Sequence, residues 1–284
     1  MIDKKDIITK ITPKKKYFYF NFREFWQFRD LLWILVKRDF KTFYRQTILG
    51  PLWFFIQPII STIVFTFIFN KIAKISTNDT PPYLFYLSGI IAWNYFSNCL
   101  ISTSSTFINN ANLFEKVYFP RIIMPTSIII SGLVKFGVQL CMFISFYLYY
   151  ILFNDLTTYP SLYSLFLLPL LTLQMGLLGQ GLGMLISALT TKYRDLSYLL
   201  TFGVQLLMYG TPIVYPLDYV PEKFKLIILI NPLTAIIETF RNVLFGNLNF
   251  EIEMICYSIF STMLIFFIGL FTFNKIEKTF IDTI

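Results

Sequence analysis

LTTYPSLYSLFLLPLLTLQMGLLGQGLGMLISALTT, residues 156–191, is a run of 36 residues without a charged side chain. Four further uncharged runs, 46–70, 80–114, 196–217 and 254–274, each exceed 20 residues. An α-helix needs about 20 apolar residues to cross the hydrocarbon core of a bilayer. Of the 284 residues, 56% are hydrophobic and only 14% are charged, whereas a soluble domain has about 25% charged residues. The sequence therefore predicts an all-α polytopic membrane protein.

The apolar runs divide into six predicted transmembrane helices and one re-entrant segment. The spans are expected at residues 49–69, 83–107, 122–153, 162–189, 196–211 and 254–273. Residues 212–250 are too apolar for an ordinary loop, yet 224–230 and 233–245 are each too short to cross and are separated by Asn231-Pro232. Non-helical backbone at membrane depth must be buried in protein or line a wet cavity. This segment is therefore predicted to be a re-entrant helical hairpin, a gate or binding element, with a plain surface loop as the alternative.

Residues 1–48 are predicted to form a basic arm followed by an amphipathic helix at the membrane surface. On a helix from 22 to 46, one side carries Phe25, Phe28, Leu32, Leu35, Val36 and Phe43, and the other carries Asp30, Lys37, Arg38, Lys41 and Arg45. This pattern is typical of a helix that lies in the headgroup plane. Arg29 and Asp39 point toward the apolar side, where a charge either reaches back to water or meets protein.

The distribution of positive charge predicts that both termini are cytoplasmic. With six spans, the arm, the connections 108–121 and 190–195 and the tail 274–284 share one side and hold 18 of the 24 Lys and Arg residues. The opposite side holds 5, and Lys135 lies inside the third span. Positive residues accumulate on the cytoplasmic side of bacterial inner-membrane proteins. Half of the 24 Lys and Arg residues lie in residues 1–45, where attraction to membrane lipid headgroups accounts for them. No nucleic-acid partner is therefore expected.

Several absences restrict the chemistry expected of this chain. It contains no histidine, which removes His-based acid–base catalysis and the commonest metal ligand. Cys99, Cys141 and Cys256 stand singly in apolar stretches and indicate neither a metal site nor a disulfide. The phosphate-binding pattern G-x-x-x-x-G-K-[ST] does not occur, so ATP is not expected to bind to this chain. We therefore expect no catalytic residue, metal or cofactor in this chain, and no enzyme.

Few ionisable residues are predicted at membrane depth. Glu238 and Arg241 lie three residues apart in the re-entrant segment and can pair on one helical face, most simply as a structural ion pair. Aromatic residues make up 19% of the chain, and most of them suit lipid contact or packing. A minority are candidates to line a path for sugars, because an aromatic ring face can meet the C–H face of a pyranose. The candidates are Trp93, Tyr95, Phe96 and Tyr209.

A series of short motifs resembles one family in order and spacing. The motifs are KRDFK at 37–41, YR at 44–45, LGPLW at 49–53, NANL at 110–113, KVYFPR at 116–121, YRD at 193–195, TPIVY at 211–215, PEKF at 221–224 and NPL at 231–233, followed by Arg241. Together they are similar, over nearly the whole chain, to the membrane subunit of ABC-2 type polysaccharide exporters. That group exports O-antigen, capsule or teichoic acid. Lys135 matches no element of the family.

The resemblance implies a division of labour between subunits. ATP and Mg²⁺ would bind to a separate ATPase subunit, and this chain would be a transport subunit. Two copies of it would form a channel in the inner membrane for a lipid-linked polysaccharide, with O-antigen as the leading candidate. The transmembrane domain would be 49–273. The connection 109–121 would couple to the ATPase through Glu115, Lys116, Tyr118 and Arg121, with Arg38 and Asp39 from the interface helix. The segment 212–250 would be the external gate, containing Tyr215, Pro221, Asn231, Pro232, Glu238 and Arg241.

Two functions of other classes remain open from the sequence. An ion-driven flippase or secondary transporter is disfavoured by the scarcity of buried carboxylates and by the lack of detectable inverted repeats. A membrane-embedded glycosyl- or acyltransferase would have Asp79 as its candidate acid, but Asp79 lies near Asn78 and Pro81 and suits a solvated turn better. An ATPase encoded beside this gene would separate the exporter from both.

Overall fold

The computed structural model describes residues 22–45, 49–78, 80–153, 160, 165–193, 195–247 and 251–280. These residues are helical nearly throughout, and no strand occurs among them. The predicted all-α membrane fold is therefore confirmed. The basic arm 1–21 and Asp79, the candidate acid of the transferase alternative, lie outside the described residues.

Twelve α-helices follow one another in this part of the chain. They are α1 (Phe22–Gln27), α2 (Arg29–Arg45), α3 (Trp53–Phe65), α4 (Pro82–Ser104), α5 (Thr106–Asn109), α6 (Ala111–Lys116), α7 (Ile123–Phe153), α8 (Leu167–Lys192), α9 (Leu196–Tyr209), α10 (Glu222–Ile230), α11 (Pro232–Phe245) and α12 (Ile252–Phe280). A 3₁₀ turn, Gly50–Leu52, leads into α3, and a π-helix, Thr66–Ile72, continues it. A second 3₁₀ turn, Leu217–Tyr219, precedes α10.

Five predicted spans are found within a few residues of their expected positions. The helical stretches long and apolar enough to cross a membrane are Gly50–Ile72, Pro82–Ser104, Ile123–Phe153, Leu167–Thr190 and Ile252–Lys275. The sixth, expected at 196–211, is the apolar helix α9 of 14 residues. At 1.5 Å per residue α9 is about 21 Å long, which is less than the hydrocarbon thickness of about 30 Å. Helices α10 and α11 meet at a bend of 97°, a geometry that a broken span and a re-entrant segment share. The re-entrant topology stays a prediction, and the bent pair is called the hairpin below.

Helix α4 is the centre of the bundle. In its apolar window 78% of the residues are buried, compared with 11% in the first span and 17% in α12. It packs on α8 and α7, and α8 packs in turn on α12. One core joins α4 to α7, α8 and α11, with Tyr86, Phe96, Phe143 and Phe240 among its largest buried side chains. The first span and α12 therefore lie at the periphery of this protomer.

A second apolar cluster lies at the opposite end of α4 from the hairpin, and this end is called the α2 end below. There Leu32, Leu35 and Val36 of α2 pack against residues of α5, α6, α7, α8 and α12; these are Phe107, Phe114, Ile123, Met184 and Phe273. On α2 itself Trp33 and Ile34 are exposed, and Trp26 of the preceding helix α1 is exposed as well. The apolar stripe predicted to lie in the headgroups thus packs mainly on protein, while these exposed apolar side chains are left to meet the membrane.

Glycines bring α8 into close contact with α4. A Cβ atom added at Gly183 would lie 2.6 Å from the Cβ of Thr103 and 2.7 Å from the carbonyl oxygen of Leu100. A Cβ at Gly179 would lie 2.8 Å from the carbonyl oxygen of Phe96. Association of helices in lipid depends on such close packing, because lipid tails are as apolar as the side chains they replace.

We predict that Gly183→Ala destabilises the protein by about 1–3 kcal/mol, the usual cost of overpacking, because a backbone carbonyl of α4 blocks the added methyl group. The measurement is the free energy of unfolding, or the melting temperature, in detergent. The matched control is Gly203→Ala on α9, where an added Cβ meets nothing within 4 Å. Equal stability of the two variants would show that the contact between α4 and α8 is not tight.

Candidate functional site

The hairpin is bent at Asn231-Pro232, and side chains fix the bend on both sides. Asn231 Oδ1 accepts a hydrogen bond from the backbone N–H of Leu233 at 3.1 Å, and its Nδ2 donates to Thr211 Oγ1 at 2.9 Å. Thr234 Oγ1 donates to the carbonyl of Ile228 at 2.7 Å. Pro232 is the first residue of α11, where its missing N–H is not needed. The break predicted from the sequence is therefore a capped helix start.

Arg241 of α11 connects the hairpin to the segment that precedes it. Its side chain is 3% exposed, Nη1 donates to the carbonyl of Pro212, and Nη2 donates to the carbonyl of Ile213 at 2.7 Å. The guanidinium carbon lies 3.8 Å from the centroid of the Phe85 ring. Nη1 lies 3.5 Å from Glu238 Oε1, so the ion pair expected from the i, i+3 spacing is present. A buried guanidinium needs several such acceptors to offset its lost hydration.

Gly89 of α4 makes room for this guanidinium, and sequence reasoning missed it. An added Cβ at Gly89 would lie 2.6 Å from Nη2 of Arg241 and 3.1 Å from Cγ2 of Ile213. Phe85, one turn earlier on α4, supplies the aromatic face. Both residues lie more than 100 positions before Arg241 in an apolar helix. The only local signal was a glycine inside a predicted span.

Helix α12 holds the bend of the hairpin from a second direction. Tyr257 O–H donates to the carbonyl of Ile230 at 2.8 Å, and Ser258 Oγ donates to the carbonyl of Pro232 at 2.8 Å. Gln174 of α8 donates in turn to Ser258 Oγ at 2.8 Å. The last carbonyl groups of a helix have no partner within it, so the Tyr257 bond satisfies one that α10 leaves open.

The two halves of the hairpin differ in burial. Most residues of α11 are buried, whereas α10 exposes Phe224, Leu226, Ile227 and Ile230. Of the other predicted gate residues, Pro221 is the residue before α10 and is exposed. Tyr215 O–H donates to the carbonyl of Tyr209 at 3.0 Å and so ties the loop to the end of α9. The six predicted gate residues thus lie in the segment before α10, at the bend and in α11, and their role as a gate stays a prediction.

A polar cavity of about 460 Å³ lies beside the hairpin. Its wall includes the carboxylates of Asp218, Glu238 and Glu251 and residues 77, 78 and 80 of the loop after the first span. The described residues contain no group of three or more His, Cys, Asp or Glu side chains that could hold a metal ion. The cavity is the kind of wet surface that non-helical backbone at membrane depth requires.

Three of the four predicted channel-lining aromatics are buried inside the protomer. Trp93, Tyr95 and Phe96 belong to the core around α4, and Tyr95 stands against Gly132 and Gly176 of the neighbouring helices. These three side chains fill space between helices, so their burial does not support a role in lining a path. Tyr209, at the end of α9, is exposed and remains a candidate to line a path for sugars.

The connection 109–121 begins at the last residue of α5, contains α6 and continues as non-helical chain from residue 117. Tyr118 is 84% exposed and Lys116 is exposed, as a docking surface needs. Arg121 is only 6% exposed, and its guanidinium lies 5.3 Å from the centroid of the Phe114 ring. In this conformation the Arg121 side chain packs under the connection and does not form part of its exposed surface. Its role in contacting an ATPase stays a prediction. The Glu115 side chain lies outside the described part of the chain.

The two charges on the apolar side of α2 behave differently. Asp39 Oδ2 accepts from Ser131 Oγ of α7 at 3.3 Å, and Oδ1 accepts from Nη2 and Nε of Arg38 at 3.0 and 3.2 Å. Arg29 is exposed, with Nε 3.9 Å from Asp30. Asp39 thus meets protein while Arg29 stays at the surface. Arg38 Nη1 also donates to Asn110 Oδ1 at 3.5 Å, which joins α2 to the connection.

Comparison with known proteins gives concordant matches along the chain. The ABC-2 type transporter family matches residues 30–245. The O-antigen export system permease protein RfbA of Klebsiella pneumoniae is 30% identical over 255 residues, which are 89% of this chain and 94% of the relative. RfbA of Myxococcus xanthus is 25% identical over 225 residues, covering 78% and 83% of the two chains. The polysialic acid transport protein KpsM of Escherichia coli is 22% identical over 250 residues, covering 88% and 94%.

The family match extends from α2, through the connection 109–121, to the last residue of α11. It therefore includes both the exposed connection and the hairpin held by Arg241. This chain belongs to the ABC-2 type transporter family.

Proposed function

We propose that this chain is the membrane subunit of an ATP-driven exporter that moves a lipid-linked polysaccharide across the bacterial cytoplasmic membrane. O-antigen is the leading candidate for that polysaccharide. It works as a homodimer with two separate ATPase subunits. The relatives named for O-antigen export and polysialic acid transport support a polysaccharide substrate. The observation that carries the proposal is the Arg241-anchored hairpin beside a polar cavity.

The hairpin suits the external seal of a polymer channel. A chain of many sugars is too large for an occluded pocket at the midplane, so it must be threaded through a continuous path. Such a path has to close between transport events, because an open aqueous route leaks ions. In this proposal α11, buried and held by Arg241, is the fixed half, and the exposed helix α10 is the half that moves.

The short helix α9 favours assembly with a second copy. It has 14 residues and reaches only about 21 Å, so lipid alone leaves its ends mismatched. It also exposes Tyr198, Leu199, Phe202 and Leu206 along one side. A second copy of the chain packed against this side provides the protein contacts that polar ends of a short span require. The channel then lies between the two protomers.

We predict that the purified chain hydrolyses no ATP and that hydrolysis appears only when an ATPase subunit is bound, because the sequence has no phosphate loop. Phosphate release is measured in lipid nanodiscs for the chain alone and for the complex. The control is a complex in which the phosphate-loop lysine of the ATPase is replaced by alanine. Hydrolysis by the isolated chain, free of contaminating ATPase, would contradict the proposal.

Tyr118→Ala is expected to weaken binding of the ATPase by about 30-fold, the effect of losing an interfacial tyrosine that contributes about 2 kcal/mol. The unfolding temperature should not change, because Tyr118 is 84% exposed. Affinity is measured with the chain in nanodiscs. Tyr219→Ala, an exposed tyrosine at the hairpin end, is the matched control and should bind normally. If both variants bind alike, Tyr118 is not part of the docking surface.

Arg241→Ala is expected to loosen the hairpin and to raise ion leakage. The change removes the donors to Pro212 and Ile213 and leaves Glu238 without its ion-pair partner, and removing one member of a buried pair costs roughly 3–5 kcal/mol. Leakage is measured as ion flux in cells and in proteoliposomes. Lys223→Ala removes an exposed positive charge from α10 in the same hairpin and should leave the flux unchanged.

A crosslink supplies a test that does not depend on a loosened fold. Cysteine pairs that join α10 to its symmetry mate should form a disulfide in the resting state and block export until they are reduced. If Arg241→Ala cells stay tight to ions and the crosslinked protein still exports polymer, the hairpin is not the gate.

A further inference from the structure

Lys135 is a charged residue inside a predicted span that neither the family motifs nor the proposed gate uses. It lies in α7, 12 residues after Ile123, so the helix rises about 18 Å before reaching it. A charged residue inside a transmembrane helix is costly and generally marks a function. The question is which groups surround it.

Lys135 belongs to a polar stripe on one face of α7. Ser131, Lys135 and Gln139 follow one another at intervals of four residues, so they project from successive turns of the same face. Ser131 Oγ donates to Asp39 Oδ2 of α2 at 3.3 Å. Gln139 Nε2 donates to the backbone carbonyl of Phe54, near the start of α3, at 3.3 Å. The stripe therefore joins α7 to the amphipathic helix and to the first span.

Lys135 lies between these two contacts. Its Nζ is 5.8 Å from the centroid of the Phe54 ring. On the same face of α7, one turn earlier, Ser131 binds the Asp39 carboxylate. Arg38 binds the same carboxylate from the other side, at 3.0 Å. Asp39 thus binds Arg38 of its own helix and Ser131 of α7, and Lys135 stands one turn of α7 beyond Ser131.

The contacts continue from Asp39 to the connection 109–121. Arg38 Nη1 donates to Asn110 Oδ1 at 3.5 Å, and Asn110 Nδ2 donates to the carbonyl of Thr106 at 3.0 Å. Asn110 immediately precedes α6, which ends at Lys116. A series of polar residues, called the polar relay below, therefore leads by hydrogen bonds from the connection to Ser131 of α7. It continues along the same face of α7 through Lys135 to Gln139, which bonds to the first span. Its members are Asn110, Arg38, Asp39, Ser131, Lys135, Gln139 and the carbonyl of Phe54.

We propose that the polar relay transmits movement of the connection 109–121 into the membrane domain, and that Lys135 is the positioning residue that holds Asp39 against α7. The inference rests on the proposed function, because an ATPase bound at the connection supplies the movement.

The charges matter because apolar contacts alone do not fix the register of α2. The contacts of Leu32, Leu35 and Val36 tolerate small sliding movements, since apolar packing is not directional. Separation of a charge pair at low dielectric is strongly unfavourable. The pair therefore forces α2 and α7 to move together when the connection is displaced.

The test uses the full chain in nanodiscs with its ATPase and lipid-linked polymer. Lys135→Met and Asp39→Asn should each lower the polymer exported per ATP by about 2- to 30-fold, the range for residues that carry coupling between sites. The double variant should lose no more than the worse single variant, because both changes break one link. Lys135→Arg keeps the charge and should restore most of the coupling. Lys71→Met, an exposed lysine at the hairpin end, is the matched control and should have no effect.

A second measurement tests the link between Lys135 and Asp39 without requiring transport. Hydrogen exchange of the α2 amides, Arg29–Arg45, should become faster in Lys135→Met and Asp39→Asn but not in Lys71→Met. Ser131→Ala removes one hydrogen bond to Asp39 without leaving a buried charge, and should change exchange and coupling in the same direction by a smaller amount. This variant keeps the test decisive if Lys135→Met folds poorly.

The outcomes separate the relay from the proposed function. If the wild-type complex exports polymer and the Lys135 and Asp39 variants couple normally, the relay is wrong and the proposed function stands. Fully additive losses in the double variant, or unchanged exchange in α2, would also overturn the relay. If the wild-type chain with its ATPase exports no polymer, the proposed function fails, and the exchange experiment alone then decides whether Lys135 holds Asp39.

Discussion

Backbone carbonyl groups at membrane depth must find donors, and the hairpin end of this structure depends on meeting that requirement. Wherever a helix ends or bends inside a bilayer, its open carbonyls cannot turn to bulk water. Here side chains of α11 itself and of α12 supply the donors, and Gly89 of α4 makes room for one of them. Arg241 donates hydrogen bonds to the carbonyls of Pro212 and Ile213. Tyr257 donates to the carbonyl of Ile230, and Ser258 donates to the carbonyl of Pro232. Without these bonds a hairpin would be less stable than one straight span.

The two ends of the molecule are built on different physical grounds. The hairpin end is held by directional hydrogen bonds to backbone and by one buried guanidinium, so it has few alternative arrangements. The α2 end combines an apolar cluster with the charges of Arg38, Asp39 and Lys135. Between them α4 and α8 are packed at backbone contact through Gly179 and Gly183.

The sequence predicted features that depend on local pattern and missed those that depend on distant contacts. Uncharged runs located the long spans, and the Asn231-Pro232 break and the i, i+3 spacing of Glu238 and Arg241 located the hairpin and its ion pair. The main acceptors of Arg241 lie 28 and 29 residues away, and Gly89 lies on another helix. No periodicity within α11 can reveal them.

Burial was the property that the sequence predicted least well. Helix α4 is apolar on all sides, so its pattern does not tell a side chain that faces a neighbouring helix from one that faces a path. Trp93, Tyr95 and Phe96 were candidates for a sugar path for this reason, and they are buried. Arg121 shows the converse case, since a charged residue in a connection was expected to be accessible but packs on Phe114. In both cases the neighbours decide, and they come from other parts of the chain.

The length of α9 links this protein to the thickness of its membrane. A helix of 14 residues is about 9 Å shorter than a hydrocarbon core of about 30 Å. A bilayer accommodates such a short helix by thinning locally, or the helices associate so that less lipid faces the short segment. Each ångström of mismatch between helix and bilayer costs a fraction of a kcal/mol. In the proposed dimer, a thicker bilayer would therefore increase the drive to cover α9 with protein, and the lipid composition would be one of the variables that set how tightly the two copies associate.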